Sequence, residues 1–449
     1  MCKVSVIIYV KNTVDYIEQC VRSAVGQTLK DIEILVVDGG STDGTLDIVD
    51  AIMAEDNRIK LFHSAPSVGV QFNLAMQNAS GEYIAICEAD DYIPTDMYEK
   101  QYEIAQSNDI DVLLASHFQF CTLDGKEYRF KIDVPIDDRL CDRLLVFENS
   151  EFVQTGAYSC WSGLYKREFL NEYSIRMSET KGASYQDISF TFLANLFAKR
   201  VWVMRDAFYC YRVDNPTASM CSPNCISMCI EEYERLRDNL CGRELLDRYI
   251  GAYISWKLWS FYGFIHDLGR VMGGTYLEKI FKILKIDYEM LSRNPDSRTI
   301  KNADSLVKAL GEDIDSFKEA LFNGLDEEEK TRAFFDKRFS GDEPVGLLGL
   351  GKMGELVMQY SEIVGGKLIF IDNNPDYQES GFKGHEVYSP QSFSKKYVGC
   401  KCIVASINAG SEMKAQLLEN EIKEDDIITC NNMYLFIRKI FAKASQKAK

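Results

Sequence analysis

The N-terminal part of the chain alternates short apolar, β-branched runs with segments of helical spacing, and nothing else in the sequence constrains the fold as much. Residues 4–10, "VSVIIYV", precede "KNTVDYIEQCVRSAVGQT", where Val14, Ile17, Val21 and Val25 recur at the spacing of one helix face. "IEILVVDGG" (32–40) leads into "STDGTLDIVDAIMAED", "IKLFHS" (59–64) into "GVQFNLAMQNASG", and "YIAIC" opens the next unit. Repeated strand–loop–helix units predict an α/β fold, a mainly parallel sheet covered by helices. Ligands of such sheets gather at the carboxyl ends of the strands.

From about 221 to 340 the rhythm changes. "IEEYERLRDNLCGRELLDRYIGAYISWKLWSFYGFI" and the charged stretch "LDEEEKTRAFFDKR" have helical periodicity and few β-branched runs. At "EPVGLLGLGKMGELVMQYSEIVGGKLIFIDNNP" the strand–helix rhythm returns, with later strands at "CIVASI" and "IITC". The expected organisation is therefore an α/β domain over 1–220, a helical section over 221–340 and a second α/β domain over 341–449.

The formal charge of −17 excludes an extended nucleic-acid surface, which needs clustered Lys and Arg to displace counterions. A small anionic ligand fits only with local positive charge, such as a bound metal ion. "MCKVSVIIYVKN" reads as a strand entering a turn and has no signal-peptide layout, so the fourteen cysteines are expected reduced, in a soluble, cytoplasmic protein. "CSPNCISMC" places Cys221, Cys225 and Cys229 at a spacing unlike common zinc pairs, and reads as one side of a helix. The tail "NMYLFIRKIFAKASQKAK" fits either a packed last helix with a basic end or a peripheral contact with the inner face of a membrane.

The acids carry the chemistry. In "GEYIAICEADDYIP" Glu88, Asp90 and Asp91 follow a buried-strand pattern, and carboxylates so close repel unless a cation compensates them. Mg²⁺ or Mn²⁺ does this with oxygen ligands while sharing its coordination with a diphosphate. Alone, such a pair also suits a surface turn. A second strand end, "VVDGGSTDGT", adds Asp38 beside glycines that leave room for a ring.

The ordered set "VSVIIYVKN", "VVDGGSTDGT", "SVGVQFNLAMQNASGEYIAICEADD" and "SYQDISF" resembles the family 2 glycosyltransferases of the GT-A fold, over roughly the first 215 residues. The resemblance implies a nucleoside-diphosphate sugar donor, UDP-linked by family habit, and transfer with inversion to a glycan or lipid-linked saccharide. It implies that Tyr9, Lys11 and Asp38 contact the nucleobase, that the Glu88-x-Asp90 element with Asp91 serves the ribose and the metal, and that Asn73 has a nucleotide-side role. Asp187 of the Gln186-Asp187 pair stands where the family keeps its catalytic base, and Arg212 in "CYRVDNPTASM" where a basic closing loop meets the leaving diphosphate. The chain departs from the family pattern at Tyr9 (usually Pro), Glu88 (usually Asp) and Gln186 (usually Glu), and 210–220 has no His for a metal.

In the second α/β region "GLGKMG" gives Gly349, Gly351 and Gly354 in G-x-G-x-x-G spacing after "VGLL", and Asp372 ends the next strand. This resembles Rossmann-like nucleotide-binding domains and leaves open NAD(P), another nucleotide, or an empty structural turn. Two rival readings stand beside the transferase: a bifunctional protein whose tail acts on a sugar nucleotide with NAD(P), and a non-catalytic sugar-nucleotide-binding protein.

Overall fold

The apolar runs are strands in the computed structural model, which describes residues 2–123, 125–147, 151–157, 159–182, 185–218, 225–294, 296–300, 303–322, 343–406 and 409–430. The chain forms two compact units, Met1–Leu321 and Phe322–Lys449. The basic tail from 431 onward, the charged stretch 323–342 and Cys221 lie outside the described residues.

The first unit begins β1 (Val4–Val10), α1 (Ile17–Val25), β2 (Ile32–Asp38), α2 (Thr45–Glu55), β3 (Ile59–His63), α3 (Val68–Asn78), β4 (Tyr83–Ile86) and α4 (Met97–Ser107). It continues through β5 (Val112–Leu123), β6 (Lys126–Ile132), β7 (Leu144–Val146), β8 (Leu164–Lys166), α5 (Arg167–Glu172), α6 (Gln186–Phe197) and β9 (Arg200–Arg212). One mixed sheet results, in the order β3-β2-β1-β4-β8-β5-β9-β7, with β6 on β5. β1, β2, β3 and β4 pair in parallel, and β8 joins β4 and β5 antiparallel. Every residue of β1 and β2 is buried, which is why these strands read as largely apolar runs, with Ser5 donating to the buried Glu33 (2.6 Å) inside them.

Register sets the site. Val10 faces Asp38 across the β1–β2 ladder, and Ile7 faces Ile86 across β1–β4, so three strand ends open on one edge. The Gln71 amide of α3 donates to the carbonyls of Val10 (2.9 Å) and Val37 (2.7 Å), satisfying two buried acceptors where the ladder stops. Gly69 lets α3 approach the segment after α5: a Cβ there would stand 1.9 Å from the Ser178 carbonyl oxygen.

The helical section, α7 (Cys225–Gly242), α8 (Leu246–Arg293), α9 (Asp304–Glu312) and α10 (Ile314–Phe322), belongs to this first unit almost to its end. A straight helix would hold residues thirty apart at about 45 Å. Lys257 Nζ is 2.8 Å from Asp287 Oδ2, so the two arms of α8 lie side by side. Both groups are almost fully buried, and Arg237 Nη1 stands 3.3 Å from Asp287 Oδ1. Removing Lys257 leaves the buried Asp287 charge with Arg237 alone, so Lys257→Met is expected to lower unfolding free energy in denaturant titrations by about 3 kcal/mol.

The second unit holds β10 (Val345–Leu348), α11 (Lys352–Val364), β11 (Leu368–Ile371), α12 (Pro375–Ser380), β12 (Val387–Tyr388), α13 (Pro390–Lys396), β13 (Cys402–Ala405), α14 (Gly410–Glu419) and β14 (Ile427–Cys430). Its five strands are all parallel, in the order β12-β11-β10-β13-β14. Among the described residues no helix is long and apolar enough to cross a membrane, and the cysteines whose side chains are described are free thiols.

Candidate active site

Chain exits from β1, β2 and β4 bring the acids of the first unit to one edge of the sheet. Asp38 is 2% exposed, and its carboxylate accepts the backbone N–H groups of Gly40 (3.0 Å) and Ser41 (2.9 Å), with His63 Nδ1 at 3.5 Å. Burial opposes its charge, yet these hydrogen bonds outweigh it and hold the carboxyl below its usual range. Asn12, at a φ of +52°, ties the neighbouring loop to this one: its N–H donates to Ser41 Oγ (2.9 Å) and its Oδ1 accepts from Thr42 N–H (2.8 Å). Lys11 is exposed beside it.

The stretch after β4 is the acidic cluster foreseen in the sequence. Carboxylate oxygens of Glu88, Asp90 and Asp91 lie within 4.8 Å of one another. An all-oxygen set of this kind fits Mg²⁺ or Mn²⁺. The three acids are not equivalent. Glu88 Oε1 accepts the Tyr9 hydroxyl (2.7 Å), and Asp90 Oδ2 accepts Asn215 Nδ2 (2.7 Å). Asp91 is 1% exposed with both oxygens engaged, Oδ2 by the Tyr209 hydroxyl (2.7 Å) and Oδ1 by the Arg212 N–H (2.6 Å). Burial, then the neighbouring Asp90 charge, push the Glu88 carboxyl up to about 8, and the same two causes raise Asp91.

Asp187 is the second residue of α6, immediately after Gln186, which follows Tyr185 at a φ of +69°. It lies deep enough for burial to push its carboxyl up to about 6, against the pull of the N–H groups of Asp187 and Ile188, yet part of the side chain stays open to solvent. Gln186 turns inward and donates to Thr180 Oγ1 (2.9 Å) and the Gly182 carbonyl (3.2 Å). The Asp187 charge raises the pKa of Glu88 and, with Glu88, those of Tyr9 and Cys160, so these groups share one low-dielectric neighbourhood.

Two of the other residues singled out in the sequence have structural partners. Asn73 Nδ2 donates to the Met177 carbonyl (2.9 Å) and Glu179 Oε1 (3.0 Å), while its Oδ1 accepts Met177 N–H (3.2 Å), fastening α3 to that segment. Arg212, 9% exposed, donates from Nε to the Asp90 carbonyl (2.8 Å) and from Nη2 to Gln19 Oε1 (2.8 Å). Its guanidinium also packs against the rings of Tyr16 (4.7 Å) and Phe120 (4.5 Å), so in this conformation it braces the acidic loop. Sequence reasoning missed Tyr209 and Asn215. The aromatic alternation "FYCYR" of β9 signals a packed face but does not say that one hydroxyl reaches the acids.

In the second unit Gly349 takes a φ of +98°, and a Cβ there would meet the Ala405 carbonyl oxygen at 2.6 Å; one on Gly354 would meet the Gly349 carbonyl oxygen at 2.1 Å. Gly351, just before α11, has open space around its Cβ position. Asp372, at the end of β11, accepts the N–H groups of Leu350 (3.3 Å) and Asn374 (2.9 Å), closing the turn on itself. Two of the three glycines are thus required by close backbone approach.

Comparison with known proteins gives the class to which this mixed sheet and its strand-end carboxylates belong. The family described as "Glycosyl transferase family 2" matches residues 5–173. The glycosyltransferase GlyG of Streptococcus pneumoniae is 30% identical over 219 residues, 46% of this chain and 70% of that protein. A poly(ribitol-phosphate) beta-glucosyltransferase of Bacillus spizizenii is 30% identical over 216 residues, 47% of this chain but only 32% of the relative. The crystal structure of S. aureus TarS 1-349 in complex with UDP-GlcNAc aligns with a TM-score of 0.53 at 22% identity, covering 74% of this chain and 92% of that one, a likeness of fold. The chain belongs to glycosyltransferase family 2.

Proposed function

We propose that the chain is a metal-dependent inverting glycosyltransferase that moves a sugar from a UDP-linked donor to a glycan or polysaccharide acceptor. The observation that carries this reading is the cluster of Glu88, Asp90 and Asp91, whose carboxylate oxygens lie within 4.8 Å of one another at the sheet edge that also carries Asp38. The named neighbours lend support, since one solved relative in fold holds UDP-GlcNAc and one curated relative is named for glucosyl transfer to a polyol phosphate.

Each side chain has a task in this scheme. Asp38 and Lys11, with Tyr9 behind them, face the nucleobase, and Glu88 reaches the ribose. Asp90 has Oδ1 left over once Asn215 has taken Oδ2, so it is the first candidate to hold a divalent cation; Asp91 stands next to it. Such a cation, when bound, supplies positive charge for the departing diphosphate. Asp187 takes the proton from the acceptor hydroxyl as general base. Attack from the face opposite the diphosphate inverts the anomeric centre, and no covalent sugar–enzyme species is required.

The second unit reads as a Rossmann-like nucleotide-binding domain. Its parallel order, equivalent to 3-2-1-4-5, supports this, with Gly349, Gly351, Gly354 and Asp372 on the first turn and the next strand end. NAD(P) is the probe for that site: a fluorescence or thermal shift on adding it to the full chain would support the bifunctional alternative.

The transferase reading is tested by UDP release from a panel of UDP-sugars with Mn²⁺ present. A base whose carboxyl titrates at about 6 must be ionised to act, so kcat/KM is expected to climb tenfold per pH unit below 6 and level off above it. Donor binding without turnover across the panel would favour the non-catalytic reading, and absence of both would contradict the transferase reading.

A further inference from the structure

One side chain outside the acidic cluster touches both ends of it. Tyr209, on β9, is fully buried, and its hydroxyl accepts the Glu88 backbone N–H (2.9 Å) while donating to Asp91 Oδ2 (2.7 Å). One oxygen therefore clamps the first and last acids of the run Glu88–Asp91. The ring has little freedom, because Trp161 stacks on it with centroids 4.4 Å apart and planes 25° apart. From the other side the Asp91 N–H donates to the Glu88 carbonyl (3.0 Å), closing a tight turn with Asp90 at its tip. Arg212 continues the brace from the same strand: its N–H holds Asp91 Oδ1 (2.6 Å) and its Nε holds the Asp90 carbonyl (2.8 Å).

This arrangement divides the labour among the acids. A carboxylate with each oxygen held by a buried protein donor offers a cation fewer lone pairs and less freedom to turn than Asp90, whose Oδ1 at the turn's tip is left over by the Asn215 contact. We propose that Tyr209 is a positioning residue that fixes the shape of the acidic turn through Asp91, so that Asp91 serves as an anchor within the protein and Asp90 serves the cation. The inference rests on the metal-dependent reading above and goes beyond it by assigning what shapes the site. Preorganised ligands bind more tightly because the cost of ordering them is met in folding.

Titration of Mn²⁺ into the UDP-saturated protein, followed by the electron paramagnetic resonance of free Mn²⁺, reads the effect without turnover. Tyr209→Phe removes the hydroxyl and leaves two buried groups unpaired, and it is expected to weaken Mn²⁺ binding about tenfold. Asp91→Asn keeps an acceptor for the Arg212 N–H and a polar partner for Tyr209, so it is expected to retain Mn²⁺ within about tenfold, whereas Asp90→Asn loses it by about 100-fold or more. Tyr83→Phe, which deletes a buried hydroxyl bonded to the Ala105 carbonyl (2.9 Å), controls for a general loss of stability and should leave the affinity unchanged. Equal Mn²⁺ affinity in Tyr209→Phe and the unmodified chain would overturn the inference, as would equal losses in Asp91→Asn and Asp90→Asn. If the unmodified chain itself takes up no Mn²⁺ with UDP, it is the metal-dependent reading that fails.

Discussion

Asp187→Asn is expected to lower kcat by about 10³ while the donor KM stays within a few-fold, because in the proposed scheme the side chain acts on the acceptor proton and not on the nucleotide. The same substitution should stabilise the protein at alkaline pH. Folding raises this carboxyl from 3.8 to about 6, so Asp187 supports the folded state only while it holds its proton. That contribution is complete below pH 3.8 and is lost as pH rises through 6, leaving a buried charge that folding must tolerate. Asn carries no charge. With part of the side chain facing water, the gain at pH 8 should be about 1–2 kcal/mol, seen as a rise in Tm of several degrees. A variant less active and more stable marks a group kept for chemistry; one that is less active and less stable would mark a structural acid.

Asp90→Asn is expected to have the second large effect, on binding. Asn offers one neutral oxygen where the carboxylate offered two and a charge, and Mg²⁺ or Mn²⁺ depends on that charge next to a diphosphate. UDP affinity in the presence of Mn²⁺ should fall by about 100-fold, while UDP affinity in excess chelator should hardly change. The Asn215 contact survives as an amide pair, so the fold should persist: Asn215 is held from behind by its own Oδ1, which accepts Thr217 N–H (2.9 Å) and Oγ1–H (2.8 Å). Loss of chelator-resistant UDP binding together with the metal-dependent part would place Asp90 on the nucleotide itself.

Local pattern carried much of this fold. β1, β2, β4 and the neighbouring helices follow from apolar runs and helical spacing, since parallel strands buried on both faces leave a signal that needs no partner to be recognised. The strand-end acids were legible for a related reason: a charge at the end of a buried run stands out wherever the chain goes next. What escaped depends on partners far along the chain. The Tyr209–Asp91 hydrogen bond joins residues 118 apart, and the Arg212–Gln19 contact residues 193 apart, so neither local composition nor periodicity announces them. The sequence suggests Arg212 for the leaving diphosphate but gives no sign that in the fold its guanidinium packs against the rings of Tyr16 and Phe120. Similarly, the shift in composition near 221 marks a change from strands to helices, but the compact unit runs on to Leu321 because α7 packs on α6 and the arms of α8 close on each other.

The most direct test of the account is the anomalous scattering of Mn²⁺ in crystals of the full chain grown with UDP. The account predicts one strong peak within coordination distance of Asp90, bridging to the diphosphate, with the uracil ring against Asp38 and Asp187 facing the open side of the same cleft. A peak elsewhere, or UDP bound away from Asp38 and Asp90, would contradict it.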